Sequence, residues 1–164
     1  MASMQEIARV LLIGIGATAI LDIWLVFLGR MGVPTLNFAY IGRWVGHLFR
    51  GTFAHAAIAR AAPIRAERAW GWLTHYAIGI AFAAVLVVTQ GVAWARAPTP
   101  WPAVGIGLCT VLAPLLVMQP AMGAGFASSR TATPVKNVLR SVANHAVFGL
   151  GLYLSSLLAA LILR

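Results

Sequence analysis

Four apolar segments constrain the fold of this chain more than any other feature of its sequence. Each holds about 20 residues or more, which is the length that an α-helix needs to cross a hydrocarbon core of roughly 30 Å. Inside such a core the backbone must satisfy its own hydrogen bonds, which leaves helices and closed barrels as the possible structures. The sequence therefore predicts an all-α polytopic membrane protein with four transmembrane helices, at about residues 8–28, 71–94, 103–126 and 137–162.

The composition agrees with a membrane location. Hydrophobic residues make up 61% of the 164 residues and charged residues only 9%, whereas a soluble domain carries about 25% charged residues. The net charge of +9 comes from 12 Lys and Arg against 3 Asp and Glu. Because basic residues beside membrane spans face anionic headgroups, we expect membrane lipids as partners and no nucleic acid. The length predicts a single transmembrane domain, residues 1–164.

The distribution of basic residues predicts the orientation. Nine of the 12 Lys and Arg lie in residues 29–69 or in the connection into the fourth span, at residues 130–140, and the other three lie on the opposite side. By the positive-inside rule, the nine face the cytoplasm. Both termini are then predicted to be periplasmic, and the segment at about 34–69 to be cytoplasmic.

An amphipathic helix is predicted within this cytoplasmic segment, at about residues 36–52. Its polar face carries Arg43, His47 and Arg50, and such a helix lies in the membrane interface. We expect Arg43 and Arg50 to contact lipid headgroups. The apolar face of this helix would lie in lipid or against the bundle. A second short helix could follow and end at Pro63. A re-entrant hairpin is the alternative, and Arg43 and Arg50 argue against its deep insertion. The apolar face of the first helix consists of Phe38, Ile41, Val45, Leu48 and Phe49.

Each span carries one polar side chain at a similar depth. Measured from the predicted cytoplasmic ends at 1.5 Å per residue, these groups lie about 7–13 Å inside the membrane. Polar groups at such depths are costly, so we expect them to face one another in the bundle. The four side chains are Asp22, His75, Gln119 and His145.

This set of side chains predicts a metal site. Two neutral imidazoles and the carboxylate of Asp22 suit Zn²⁺ or Fe²⁺, with Gln119, His47 or water completing the ligand shell. Two imidazoles on facing helices could instead hold a haem iron. Without a metal, Asp22 and a histidine could pass a proton. Each histidine could also be a hydrogen-bonded link between helices.

Three functional hypotheses follow from these alternatives. The first is a metal-binding membrane protein that could act as a metal-dependent enzyme on a lipid-soluble substrate. The second is a proton-coupled transporter or permease, and the third is a structural or accessory subunit, as a homo-oligomer or with another membrane protein. Phosphate-binding loops, G-x-S-x-G nucleophile turns and H-E-x-x-H zinc motifs do not occur in the sequence, which excludes several classes of soluble enzyme.

Four sequence blocks resemble a known family. They are "GRWVGHLFRGTFAH" (42–55), "GWLTHYAIGIAFA" (71–83), "MQPAMGAGFASS" (118–129) and "NHAVFGLGLYL" (144–154). The chain is similar over nearly its whole length to a family of small bacterial inner-membrane proteins with four predicted spans and unknown function. The resemblance implies a bacterial plasma membrane and a single domain, and it carries no activity over to this chain.

Overall fold

Four long apolar helical segments form the membrane-spanning part of the chain. The structure is a computed structural model that describes residues 3–163. The spans are Met4–Arg30, Glu67–Arg96, Pro100–Ala121 and Pro134–Ile162, all long and apolar enough to cross a membrane. The prediction of an all-α fold with four transmembrane helices is confirmed. The helices are α1 (Met4–Arg30), α2 (Phe38–Leu48), α3 (Glu67–Arg96), α4 (Pro100–Cys109), α5 (Gln119–Ala121) and α6 (Pro134–Ile162).

The third span is broken into pieces. Helix α4 is followed by a turn, a π-helical segment at Pro114–Met118, and the short helix α5. Proline has no N–H to donate to the helix ladder, so Pro114 and Pro120 interrupt the regular hydrogen bonding. The predicted end at residue 126 is wrong, because Gly123 (φ 95°) and Gly125 (φ 75°) take the chain out of the helix after Ala121.

The described chain divides into two compact units. Unit 1 comprises the chain up to Pro34, Tyr76–Thr110 and the chain from Ala143 onward, and unit 2 comprises Thr35–His75 and Val111–Val142. The prediction of a single domain concerns independent folding and stays a prediction.

Unit 1 contains the larger apolar core. Ile13, Leu86 and Leu152 are fully buried in it. A Cβ atom on Gly107 would meet the backbone of Gly149, so α4 and α6 approach closely at these two glycines. Small residues at such crossings allow helices in a membrane to pack backbone against backbone.

Unit 2 is built around the packing of α2 against the beginning of α3. A Cβ atom on Gly42 would meet the carbonyl oxygen of Glu67, and one on Gly71 would meet the carbonyl oxygen of Phe38. The two helix backbones therefore touch at this pair of glycines. The buried core of unit 2 consists of Ile41, Ile58 and Met122.

Helix α2 is amphipathic, as predicted, and its apolar face is buried only in part. Ile41 is buried, whereas Leu48 and Phe49 at its carboxyl end are exposed. The possible second helix after it does not form, and only a 3₁₀ turn is present, at Ile58–Arg60. The backbone N–H groups of His55 and Ile58 instead donate to the carbonyl oxygens of Ala121 and Met122 at 2.8 and 3.0 Å.

Candidate functional site

Arg43 and Glu67 form the charged centre of unit 2. The Arg43 guanidinium binds the carboxylate in bidentate fashion, with Nε–Oε2 and Nη2–Oε1 distances of 2.9 Å. The hydrogen bond to Glu67 raises the pKa of Arg43 above its ordinary value. Nη1 donates to the carbonyl oxygens of Ile58, Ala59 and Ala61 at 3.0–3.2 Å.

These contacts give Arg43 a different role from the one predicted. Its guanidinium was expected at lipid headgroups, but Arg43 is only 9% exposed and joins α2, the 3₁₀ turn and the beginning of α3. A pair separated by 24 residues leaves no local signal in the sequence. Arg50, the other residue expected to contact headgroups, is exposed.

Two histidine rings lie next to each other one helical turn beyond Arg43. The ring centroids of His47 and His55 are 4.9 Å apart, with the ring planes at 85°. Nε2 of His47 lies 2.8 Å from the carbonyl oxygen of Ala62. A carbonyl oxygen only accepts hydrogen bonds, so Nε2 carries the proton and Nδ1 keeps the lone pair in the neutral ring.

The His55 ring differs from that of His47. Both of its nitrogens are buried, and neither has a hydrogen-bond partner within residues 3–163. More than 90% of buried polar groups in proteins do have such a partner, and exceptions occur at ion sites and catalytic sites. An imidazole with a free lone pair can bind a metal ion or a proton.

The loop that carries His55 is held firmly against the end of α5. The main-chain N–H of His55 donates to Ala121. Gly123 adopts a positive φ, and a Cβ atom there would meet the carbonyl oxygen of Ala56. Only glycine combines this backbone conformation with so close an approach. The position of the His55 ring is therefore set by backbone contacts as well as by packing.

The other two predicted site residues in unit 2 have different surroundings. The His75 ring packs on Phe38 and Trp72, with centroid distances of 4.8 and 5.9 Å. Gln119 accepts a hydrogen bond from the Ser128 hydroxyl at 3.0 Å, and its Nε2 lies 3.5 Å from the Ser141 hydroxyl. Gln119 thus joins α5 to the turn that follows it.

Unit 1 contains Asp22, which accepts a hydrogen bond from the Tyr76 hydroxyl at 2.8 Å. Two residues further along α1, the indole N–H of Trp24 donates to the side-chain oxygen of Asn144 at 3.0 Å. The first contact joins α1 to α3 and the second joins α1 to α6. Both contacts place polar atoms of the spans between helices of unit 1.

His145, also in unit 1, is joined to Thr110. Its Nδ1 lies 2.8 Å from the threonine hydroxyl, which donates its own proton to the carbonyl oxygen of Gly107 at 2.6 Å. Because a hydroxyl has one proton, Nδ1 is the donor and Thr110 the acceptor. His145 is therefore a hydrogen-bonded link from α6 to the residue that follows α4.

The predicted metal ligands consequently fall into two groups. Asp22 and His145 belong to unit 1, and His47, His75 and Gln119 belong to unit 2. Within residues 3–163, no three or more His, Cys, Asp or Glu side chains come together as a metal-binding group. The assignment of all five residues to one metal site stays a prediction, and the two adjacent ligand-type rings are those of His47 and His55.

His55 was not among the metal ligands predicted from the sequence. The signal for its pairing lies in the spacing of the two histidines around Gly51. Each stands four residues from this glycine, which has a φ of 82° and allows the chain to reverse. The pairing of Glu67 with Arg43 was likewise not predicted.

A comparison with protein families identifies one family. Residues 11–159 match the model described as "Protein of unknown function (DUF2938)", so the chain belongs to the DUF2938 family. This membership confirms the resemblance to a family of unknown function. No curated protein and no solved structure matches the chain.

Proposed function

We propose that this member of the DUF2938 family binds a transition metal ion, Zn²⁺ or Fe²⁺, through His47 and His55. The observation that carries the proposal is the His55 ring, whose two nitrogens are buried and have no hydrogen-bond partner in residues 3–163. Burying such a group unsatisfied costs about 1–3 kcal/mol. A bond from the imidazole to a metal ion would remove part of that cost.

The hydrogen bond of His47 supports its role as the second ligand. A histidine that binds a metal through one ring nitrogen almost always donates the other N–H to a carboxylate, carbonyl or water. The contact between Nε2 of His47 and the carbonyl oxygen of Ala62 has this form. It fixes the tautomer that leaves Nδ1 available to the metal.

The separation of the two rings is also compatible with a shared ion. At metal–nitrogen distances of 2.0–2.1 Å and tetrahedral angles, two imidazole centroids are roughly 5 Å apart. The centroids of His47 and His55 are 4.9 Å apart. Two histidines leave further coordination positions for water or an exogenous ligand, and open positions of this kind are what a metal-dependent enzyme would use.

The proposed location is the cytoplasmic side of the bacterial inner membrane, with both termini periplasmic. The concentration of Lys and Arg in residues 29–69 and in residues 130–140, just before α6 and in its first two turns, supports this orientation. Exposed Arg50, three residues after His47, would then contact lipid headgroups. The metal would reach the histidines from the cytoplasm.

The experiment is a titration with Zn²⁺, and under anaerobic conditions with Fe²⁺, of protein purified in detergent without a polyhistidine tag. Wild type, His47→Ala and His55→Ala are compared with His145→Ala as the matched control, since His145 already has a hydrogen-bond partner in Thr110. We expect about one zinc per chain in wild type and in His145→Ala. The affinity should fall at least tenfold in the other two variants.

Two results would contradict the proposal. Loss of zinc in His145→Ala but not in His55→Ala would move the site to the spans, where Asp22 and His145 were first predicted as ligands. Absence of zinc and iron binding in every sample would leave the proton-coupled transporter and the accessory subunit as the remaining hypotheses.

A further inference from the structure

Arg9, near the beginning of α1 in unit 1, is the most deeply buried charged side chain in residues 3–163. It is 3% exposed. Its Nη1 donates to the carbonyl oxygen of Ala95 at 2.9 Å and its Nη2 to that of Leu163 at 2.8 Å. Both acceptors are neutral, so these bonds satisfy two donors without balancing the charge.

None of the three acidic side chains forms an ion pair with Arg9. Glu6 accepts a hydrogen bond from the Ser3 N–H at 2.7 Å, and Asp22 is thirteen residues further along α1, or about 20 Å. Glu67 binds Arg43, which is the only ion pair within residues 3–163. A buried charge without a counter-ion is costly. Because no carboxylate within residues 3–163 pairs with Arg9, its guanidinium is suited to bind an anion.

A pocket beside Arg9 has room for one. Its volume is about 350 Å³, and it is lined by Gln5, Arg9, Arg96, Ala160 and Leu163. Two guanidinium groups and an amide are hydrogen-bond donors suited to a phosphate, and the remaining two residues are apolar. The lining of the pocket therefore includes both cationic and apolar side chains.

The position of the pocket favours a lipid as the source of the phosphate. Its residues lie in the first turns of α1, at the end of α3 and at the end of α6 and beyond, where these three spans terminate. Phospholipid phosphates lie at this level of a bilayer, just outside the hydrocarbon core. Exposed Arg96 stands at the rim, within reach of a headgroup.

We propose that the pocket of Gln5, Arg9 and Arg96 binds the phosphate of an anionic phospholipid. This site belongs to unit 1 and is independent of the proposed metal site. The Arg9 guanidinium supplies the buried contact and Arg96 the outer one, while Ala160 and Leu163 border the first part of an acyl chain. The lipid would hold together the ends of α1, α3 and α6.

The proposal is tested by native mass spectrometry of the full chain in detergent, titrated with dioleoyl phosphatidylglycerol. Arg96→Gln is the main variant, because Arg96 is exposed and its replacement should not disturb folding; Arg9→Gln is used with a check of its thermal stability. The control is Arg30→Gln, which removes an exposed charge at the opposite end of α1. We expect about tenfold weaker lipid binding in Arg96→Gln and unchanged binding in Arg30→Gln.

Further arms separate the possible sources of the anion. Equal weakening in Arg30→Gln would indicate nonspecific attraction to surface charge and overturn the proposal. If inorganic phosphate displaces the bound lipid at concentrations similar to that of the lipid, the pocket binds a free anion and the proposal of a lipid is overturned.

Discussion

His145 in unit 1 and His55 in unit 2 are both half-buried, but they differ in hydrogen bonding. Nδ1 of His145 donates to Thr110, which itself donates to Gly107. Neither nitrogen of His55 has a hydrogen-bond partner in residues 3–163. The histidine inside a span is thus part of a hydrogen-bonded link between helices, and the histidine in the loop after α2 is the better candidate ligand.

Two arginines also differ in their partners, but here the residue with the complete set of partners lies in unit 2. Arg43 in unit 2 has a bidentate carboxylate and three carbonyl oxygens. Arg9 in unit 1 has two carbonyl oxygens and no carboxylate within 4.0 Å among the described residues. Each unit therefore contains one group satisfied by the protein and one whose chemistry favours an external ligand: a metal ion for His55 and an anion for Arg9.

The largest effect on stability should follow from breaking the ion pair between Arg43 and Glu67. Glu67→Gln leaves Arg43 largely buried without its carboxylate, and removal of one partner of a buried pair typically costs about 3–5 kcal/mol. We expect the free energy of unfolding to fall by about 2–3 kcal/mol. This is less than the typical cost because the side chains of Arg43 and Glu67 are still 11% and 20% exposed. The measurement is unfolding in mixed micelles by titration with a denaturing detergent.

The control for this prediction is Glu6→Gln, the same substitution at a capping residue outside unit 2. It should cost less than about 1 kcal/mol. Equal losses in the two variants would show that the Arg43–Glu67 contact contributes nothing specific to unit 2.

A smaller effect is expected from the contact between α2 and α3. Gly42→Ala places a methyl group against the carbonyl oxygen of Glu67, and overpacking of this kind costs about 1–3 kcal/mol. Because α2 carries His47, zinc affinity should fall together with stability. Gly105→Ala is the control, since nothing lies within 4 Å of its added methyl group. Unfolding and zinc titration of both variants test whether the packing of α2 positions the histidine pair.

The smallest effect on stability should come from removing the hydrogen-bond partner of His145 in unit 1. Thr110→Val removes the acceptor of His145 Nδ1, and loss of such a hydrogen bond costs about 1 kcal/mol. Zinc affinity should not change, because His145 is not a ligand in this account. Zinc affinity lowered by Thr110→Val would break the contrast between the two histidines. Equilibrium unfolding and zinc titration of the same preparation provide both values.

The spans and α2 could be predicted from sequence because hydropathy and helical periodicity are local properties. The span that contains Asp22, for example, can be recognised from the long apolar run around this residue alone. The end of the third span was missed by the same reasoning, since "MQPAMGAGF" is apolar up to Phe126 although Gly123 and Gly125 take positive φ. Composition does not report backbone conformation.

Side-chain partners could be predicted only in part. Alternation of the spans gave Asp22, His75, Gln119 and His145 similar depths, but depth does not fix the rotation of a helix about its axis or the neighbour that each side chain meets. Asp22 contacts Tyr76, and His145 contacts Thr110; neither partner was identified beforehand. Contacts such as Arg43–Glu67 depend on packing between segments far apart in sequence.

The most direct test of the metal proposal is X-ray absorption spectroscopy at the zinc edge on protein loaded with one equivalent of Zn²⁺. The account predicts two imidazole nitrogens at about 2.0 Å, with oxygen ligands completing the shell. It also predicts one imidazole fewer in His55→Ala and an unchanged spectrum in His145→Ala. A spectrum without imidazole scattering, or one altered by His145→Ala and not by His55→Ala, would contradict the assignment of the metal to His47 and His55.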